Sequence, residues 1–272
     1  MNTMTIKQDS ATASKIKGSI VVVGPGIMLG AHITPRSRTY IEKADLVFYC
    51  CPMLVRDWIT TLNPNTRNLG EYYGIEKDRR ITYREMVDAM LAAVRDGLKV
   101  VAVFYGHPGV FAWSTHKVIE EARAEGYTAH MEPGISADAC LYADMGIDPA
   151  RYGCQSYETS QFMFYQRKID PTAYLLLWQP AHAGDTQIKN QPSTPAQRQV
   201  LVDLLCETYP AEHQVALYKA PFLPMDKPSI RWFALQDFAS IDIDLVETLV
   251  IPPAQKMQFN QSIMNKLHAL NQ

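Results

Sequence analysis

Two glycine-bearing loops are the places in this chain where a backbone can meet a ligand. The first, Val22-Val23-Gly24-Pro25-Gly26 running on to Gly30, follows the β-branched run Ser19 to Val23. The second, Tyr105 to Phe111, reads YGHPGVF after the apolar run Lys99 to Phe104. Glycine has no Cβ, so Gly106 and Gly109 permit close backbone approach, and Pro108 stiffens the turn. Tyr105 and Phe111 offer flat apolar faces at the carboxyl end of a strand, where open α/β sheets bind ligands. Spacing alone is equally compatible with an ordinary strand-to-helix loop around a buried aromatic. The first loop invites a dinucleotide reading, because amides at a helix N-terminus attract phosphate. Its spacing is not G-x-G-x-x-G, however, and Glu42 and Asp45 precede the second strand instead of closing it, which disfavours a nicotinamide cofactor. His107, set between glycine and proline, suits a loop-holding backbone bond as well as proton transfer.

Other chemistries find little support. The five cysteines (Cys50, Cys51, Cys140, Cys154, Cys206) show no CxxC spacing and sit mostly in apolar surroundings, so buried thiols are expected. The seven histidines form no HxxxH or HExxH pattern, and no protein-bound metal is expected. A formal net charge of -2 gives no broad reason to bind a polyanion, which argues against nucleic acid. The longest apolar runs fall far short of the ~20 residues a membrane helix needs. Residues 1–17 are polar and lack the apolar segment of a secretory signal, so a loose tail and a cytoplasmic address are expected.

The elements that carry the loops alternate through the first half. Strands are expected at Ser19 to Val23, Leu46 to Cys51, Lys99 to Phe104 and Tyr127 to Met131. Helices are expected at Pro35 to Lys43, after Pro52, at Thr82 to Arg95, at Thr115 to Glu125 and at Ile135 to Ala143, the last capped by Ser136 or a neighbour. Such alternation specifies a largely parallel sheet covered by helices. The second half differs. Strand-like segments recur at Gln155 to Tyr157, Tyr174 to Trp178, Gln214 to Leu217, Ile230 to Phe233 and Glu247 to Ile251. Helices are read at Pro195 to Thr208 and near Gln261 to Leu270, with a polar loop over residues 183–194. A mixed sheet is expected. The division is a tail at 1–17, an N-terminal α/β domain at 18–133 and a C-terminal α/β domain at 134–272.

The set GPG after the first strand, YGHPGVF after a central strand and EPGISADACLYADMGIDP at 132–149 resembles the tetrapyrrole methylase superfamily of S-adenosylmethionine-dependent methyltransferases. Within it, LGEYYGIEKDRRITYREM at 69–86, VFYGHPGVFA at 103–112 and LLLWQ at 175–179 are most similar to the borosin peptide-backbone α-N-methyltransferases. The likeness runs from about Gly18 to Pro253. It implies a two-domain α/β fold with S-adenosylmethionine in the cleft between the domains and S-adenosylhomocysteine as product. Tyr105, His107, Val110 and Phe111 would line the cofactor from the first domain, and Ser136 and Ala137 from the crossover. Gln179, Tyr218, Ala220 and Thr248 would line it from the second.

A peptide nitrogen is a poor nucleophile because its lone pair is delocalised into the carbonyl, so alkylation requires loss of the N–H proton and stabilisation of an imidate. The resemblance puts that work on three residues. Tyr73 is the base or proton relay. Arg79 supplies a fixed positive charge that lowers the tyrosine's pKa and stabilises oxyanion charge, and Tyr83 orients the amide oxygen. If the helix has begun at Arg79, it shares a face with Tyr83. Taken singly, Tyr83 on an apolar helix face reads as core packing, and Arg79 within the charged run Glu76 to Arg80 reads as a solvated loop. Fungal members of the family carry their substrate as a C-terminal extension, whereas this sequence stops at Gln272. The expectation is therefore a split enzyme acting in trans on a separate precursor peptide. A homodimer is implied, alone or as a heterotetramer with two precursor chains, with Met163, Phe164, Tyr165 and the Trp232-Phe233 pair available for an interface or for the core. Rival readings are a small-molecule methylase acting on a tetrapyrrole such as a precorrin, and a non-catalytic regulator that binds S-adenosylmethionine.

Overall fold

The computed structural model describes residues 18–74, 77–186 and 192–271. The chain separates into two units. One takes the described residues through Pro25, with Ile33–Tyr72 and Thr82–Gly134; the other takes Gly26–His32, Tyr73–Ile81 and the described residues from Ile135 onward. The expected tail at 1–17 lies outside the described residues, as do 187–191 of the expected polar loop.

In the first unit, β1 (Ser19–Val23), β2 (Leu46–Cys50), β3 (Thr66–Asn68), β4 (Lys99–Phe104) and β5 (Thr128–Met131) form a parallel sheet of order β3-β2-β4-β1-β5. Val21 of β1 lies in register with Val101 of β4 and His130 of β5. The connections are made by α1 (Pro35–Lys43), α2 (Met53–Leu62), α3 (Arg79–Arg95) and α4 (Trp113–Ala124). Helices cover both faces, so the central strands β1 and β4 are near-continuous apolar runs: Ile20, Val22, Val23, Ala102 and Val103 are fully buried. On α3, Met86, Val87, Met90, Leu91 and Val94 turn the expected stripe into the core.

Two departures from the sequence reading have local causes. Helix α3 starts at Arg79, three residues before the expected Thr82, because Asp78 acts as its cap: its carboxylate accepts from Arg80 N at 2.8 Å and its carbonyl from Ile81 N at 3.1 Å. Strand β3 is not among the expected strands, since its three residues are polar and carry no hydrophobic pattern.

The second unit holds β6 (Cys154–Glu158), β7 (Tyr174–Trp178), β8 (Gln214–Lys219), β9 (Ser229–Ala234) and β10 (Thr248–Ile251) in the order β6-β7-β10-β8-β9. Only β6 and β7 pair in parallel, so the sheet is mixed, as expected. Around it run α5 (Ala137–Met145), α6 (Pro149–Tyr152), α7 (Thr159–Phe164), α8 (Pro195–Cys206) and α9 (Gln261–Leu270). Helix α8 begins in a capping box made by Thr194 and Gln197 with Pro195 in the first turn, and buries Leu201 and Leu205 against Leu175, Leu177 and Phe238. Of the residues named for an interface, Phe233 stacks on Phe238 and Met163 packs at the core edge, while Phe164, Tyr165 and Trp232 are exposed.

The cysteines depart from expectation in one respect: Cys140 is buried, Cys50, Cys51 and Cys154 are partly so, but Cys206 at the end of α8 is exposed. Burial pushes the Cys51 thiol up to about 12, so it is no nucleophile near neutrality. No helix among the described residues is long and apolar enough to cross a membrane.

What positions a site is the carboxyl edge of β4-β1-β5. The loops leaving these neighbours touch backbone to backbone. A Cβ on Gly24 would stand 2.1 Å from the Gly106 carbonyl oxygen, and one on Gly134 2.7 Å from the same atom. Gly24→Ala is therefore expected to lower the unfolding free energy by about 1–3 kcal/mol through overpacking. Urea denaturation of the full chain measures this; an unchanged midpoint would mean the loops have slack.

Candidate active site

Beyond β4 the chain enters the YGHPGVF loop through Gly106, whose φ of 72° is left-handed, and leaves it through Phe111, whose φ is 52°. Phe111 and Gln179 are the non-glycine residues with positive φ among the described residues. A bulky residue held there is strained unless its surroundings fix it, and such strain gathers at ligand sites. The fixing is visible. Gly109 N donates to His107 Nδ1 at 3.0 Å and Val110 N to the His107 carbonyl at 3.1 Å. His116 Nε2 lies 2.8 Å from the Gly109 carbonyl, and the buried Thr115 hydroxyl lies 2.6 Å from that of Pro108. Because His107 Nδ1 accepts, the ring's proton sits on Nε2, and the histidine holds its loop. Tyr105 is half-buried, whereas Val110 and Phe111 stand 46% and 53% exposed. The tied, strained loop keeps this apolar pair in solvent, an arrangement able to receive a flat or apolar ligand.

In the second unit, antiparallel pairing gathers four more of the expected residues at one end of the mixed sheet. Thr248 opens β10 opposite Trp178 of β7 and Tyr218 of β8. Gln179 follows Trp178 in a left-handed conformation (φ 56°) and is exposed, and Ala220 follows β8 half-buried. Tyr218 and Thr248 are buried, and the Tyr218 hydroxyl donates to Asp144 Oδ2 at 2.7 Å. Burial, then the bond to Asp144, holds the Tyr218 phenol far above its ordinary range. Ser136 stands at the N-cap of α5 with Ala137 first in the helix, yet its hydroxyl donates to Asp138 and leaves the first-turn amides uncapped by this side chain.

Asp144 is a residue that the sequence reading missed; only the ISADACLYADMG segment around it hinted at importance. His32 is another. Its Nδ1 accepts from Met28 N at 3.1 Å, and burial pushes its pKa down while Asp144 pulls it up.

The segment 73–81 carries the expected reactive groups. Tyr73 is 44% exposed. Arg79 opens α3, so Tyr83 lies one turn on, packed at the edge of the first unit's core. Beside Arg79, the Asp78 carboxylate is taken by Arg80, with Nη2 at 2.6 Å, which holds that carboxyl below the usual range. Arg79 Nε is left buried with no hydrogen-bond partner among the described residues. A buried unpaired donor on a cation costs about 1–3 kcal/mol or more and calls for an anion or carbonyl ligand. Among the described residues no metal-binding group of three His, Cys, Asp or Glu gathers.

Comparison with known proteins follows the same lines. The profile of the family Tetrapyrrole (Corrin/Porphyrin) Methylases matches residues 19–220. The chain is similar to a methyltransferase/ribosomally synthesized cyclic peptide gymnopeptides precursor of Gymnopus fusipes, 37% identical over 265 residues, 96% of this chain and 63% of that protein. It is also similar to a methyltransferase/ribosomally synthesized type I borosin cyclic peptide precursor of Coprinopsis marcescibilis, 36% identical over 268 residues, 95% of this chain and 68% of that protein. The first relative thus extends well beyond the region this chain spans. Among solved structures, the uroporphyrin-III-C-methyltransferase of Thermus thermophilus shares the fold with a TM-score of 0.61 at 16% identity, covering 87% of this chain and 93% of that one.

The buried phenols carry a pH consequence. Tyr142, Tyr209 and Tyr218 all have pKa values raised above the ordinary 10.0, chiefly by burial. The folded chain favours their protonated form, so this stability is complete below about pH 10 and is lost as pH climbs past it, where tyrosines of the unfolded chain ionise first. Urea midpoints measured from neutrality upward are expected to fall above ~pH 10, and less steeply for Tyr218→Phe. An identical slope in the variant would show that Tyr218 is not held in this way.

Proposed function

Because this chain belongs to the tetrapyrrole (corrin/porphyrin) methylase family, we propose that it catalyses S-adenosylmethionine-dependent α-N-methylation of backbone amides in a precursor peptide supplied as a separate chain. The relatives' names, which join a methyltransferase to a cyclic-peptide precursor, support the peptide acceptor. The observation that carries the reading is the Arg79 Nε donor, buried and unspent beside a carboxylate already engaged by Arg80.

The residues fit the cofactor. Val110 and Phe111 supply exposed apolar faces, and Tyr105 and His107 complete and hold that loop. Gln179 offers an exposed amide held in a strained turn beside Ala220, Thr248 and Tyr218, and Ser136 and Ala137 offer a helix N-terminus for a carboxylate. When bound, S-adenosylmethionine supplies an electrophilic methyl carbon on a sulfonium and departs as S-adenosylhomocysteine.

The chain's own groups prepare the acceptor. Tyr73, acting as its phenolate, takes the amide proton directly or through a relay and becomes the neutral phenol. Arg79 places its guanidinium against the amide oxygen, where negative charge grows as the nitrogen loses its hydrogen. Tyr83 donates to the same oxygen and sets the plane of the peptide. The enzyme works as a homodimer that two precursor chains join as a heterotetramer.

Incubation of the full chain with S-adenosylmethionine and a precursor peptide is expected to give methyl-sized mass increments that fragment spectra place on backbone nitrogens; methylation confined to side chains, or turnover of a tetrapyrrole with none of peptide, rejects the proposal. Tyr73→Phe and Arg79→Ala are expected to lower turnover by about 10²–10³-fold while leaving cofactor affinity by calorimetry within a few-fold, since their work lies in the transition state. Equal loss of both would place these residues in the binding site instead.

A further inference from the structure

Helix α9 is poorly accounted for by its own unit. Along the arm and helix, Met257, Phe259, Ile263, Leu267 and Leu270 are 54, 85, 46, 49 and 81% exposed, and none of the helix's ten residues is buried. At helical spacing Ile263, Leu267 and Leu270 share one face, with Lys266 on its flank. Asn260 caps the helix by accepting from Ile263 N at 3.2 Å. Even so, a helix this short is marginal in water without a packed face. The stripe calls for an apolar partner.

The same unit carries a surface of matching character. Met163 and Phe164 of α7 and Val200 and Leu204 of α8 line a hollow of about 530 Å³ with Asp203 and Glu207 on its rim. A second hollow of about 420 Å³ shares Met163, Phe164, Leu204 and Glu207 and adds Arg167, so the two form one trough that is more polar at its second end. Phe164 and Val200 are 45% and 58% exposed. Among the described residues neither Asp203 nor Glu207 is in an ion pair, and neither is Lys266. An apolar stripe flanked by a cation and the first hollow, whose charged lining residues are Asp203 and Glu207, are complementary in shape class and in charge.

We infer that α9 of one copy of this chain lies in the α7–α8 trough of a second copy, and reciprocally. Ile263, Leu267 and Leu270 pack on Phe164, Val200 and Leu204, and Lys266 faces Asp203 and Glu207. The exchange is two-fold symmetric: each copy gives one helix and one trough, so both surfaces are satisfied twice and no open chain of copies grows. The inference rests on the homodimer within the proposed function and is independent of methyl transfer.

Light scattering on the full chain, with its Ile263→Asp/Leu267→Asp, Val200→Asp, Lys266→Glu and Glu207→Lys variants, tests it. The unaltered chain is expected at twice the monomer mass. Each apolar-to-acid variant should weaken the dimer by about tenfold or more in Kd with circular dichroism unchanged, because the altered residues are exposed. Each charge reversal should weaken it, and Lys266→Glu combined with Glu207→Lys should restore it. In a Cys206→Ser background, a mixture of Leu267→Cys and Val200→Cys chains should oxidise to a covalent heterodimer. A dimer indifferent to every one of these substitutions overturns the α9 docking while the dimer stands. A monomeric unaltered chain overturns both, and leaves the methylation assay to decide the enzymatic reading on its own.

Discussion

The absence of two β-carbons governs the rest of the first unit. Gly24 and Gly134 let the loops leaving β1 and β5 approach the loop leaving β4 at backbone distance, with the Gly106 carbonyl at the meeting point. Parallel strands in the order β4-β1-β5 bring those loops to one edge, and fully buried valines hold the strands in register. Once the loops are locked, Gly106 and Phe111 can be kept in left-handed backbone, because hydrogen bonds to the His107 ring and from Thr115 and His116 oppose the strain. The exposed Val110 and Phe111 are the outcome: stability of the sheet is spent on holding two apolar side chains in water.

A different physical logic runs through the second unit. Its antiparallel pairs place the end of β7, the start of β10 and the end of β8 side by side, so residues far apart in sequence reach one sheet end without a tight glycine loop. There the buried Tyr218 hydroxyl is satisfied by Asp144, and Gln179 is strained as Phe111 is. Segment 73–81 adds a third device, the sorting of charges along four residues. Asp78 caps α3 and binds Arg80, which frees its neighbour Arg79 from any carboxylate among the described residues.

Much of this was legible in the sequence, and the reasons are specific. The strand Ser19 to Val23, the helix Pro35 to Lys43 and the strand Tyr174 to Trp178 were read at their observed bounds, because a β-branched run, a proline start and a short continuous apolar run are strong local signals. The parallel-then-mixed layout followed from the rhythm of elements. Short pieces were not legible: β3 is three polar residues, and α6 and α7 are too brief to show a period. The start of α3 hid behind a charged run in which Asp78 is a cap. For the site, the glycine loops announced close approach, but neither the positive φ of Gln179 nor the Tyr218–Asp144 bond has a local sequence signal, since the second joins β8 to α5 across 74 residues of chain. That 26–32 and 73–81 belong with the second unit is likewise a tertiary fact.

In the proposed reaction the group to probe is the Arg79 guanidinium, whose Nε has a donor to spare, and the probe is to return that group from solution. Turnover of Arg79→Ala with a peptide acceptor, measured against added guanidinium ion at concentrations well below those that unfold the chain, is expected to recover along a saturating curve, with cofactor affinity unmoved. No recovery, together with a loss of cofactor affinity in the variant, would contradict a role for Arg79 in stabilising the acceptor's oxygen.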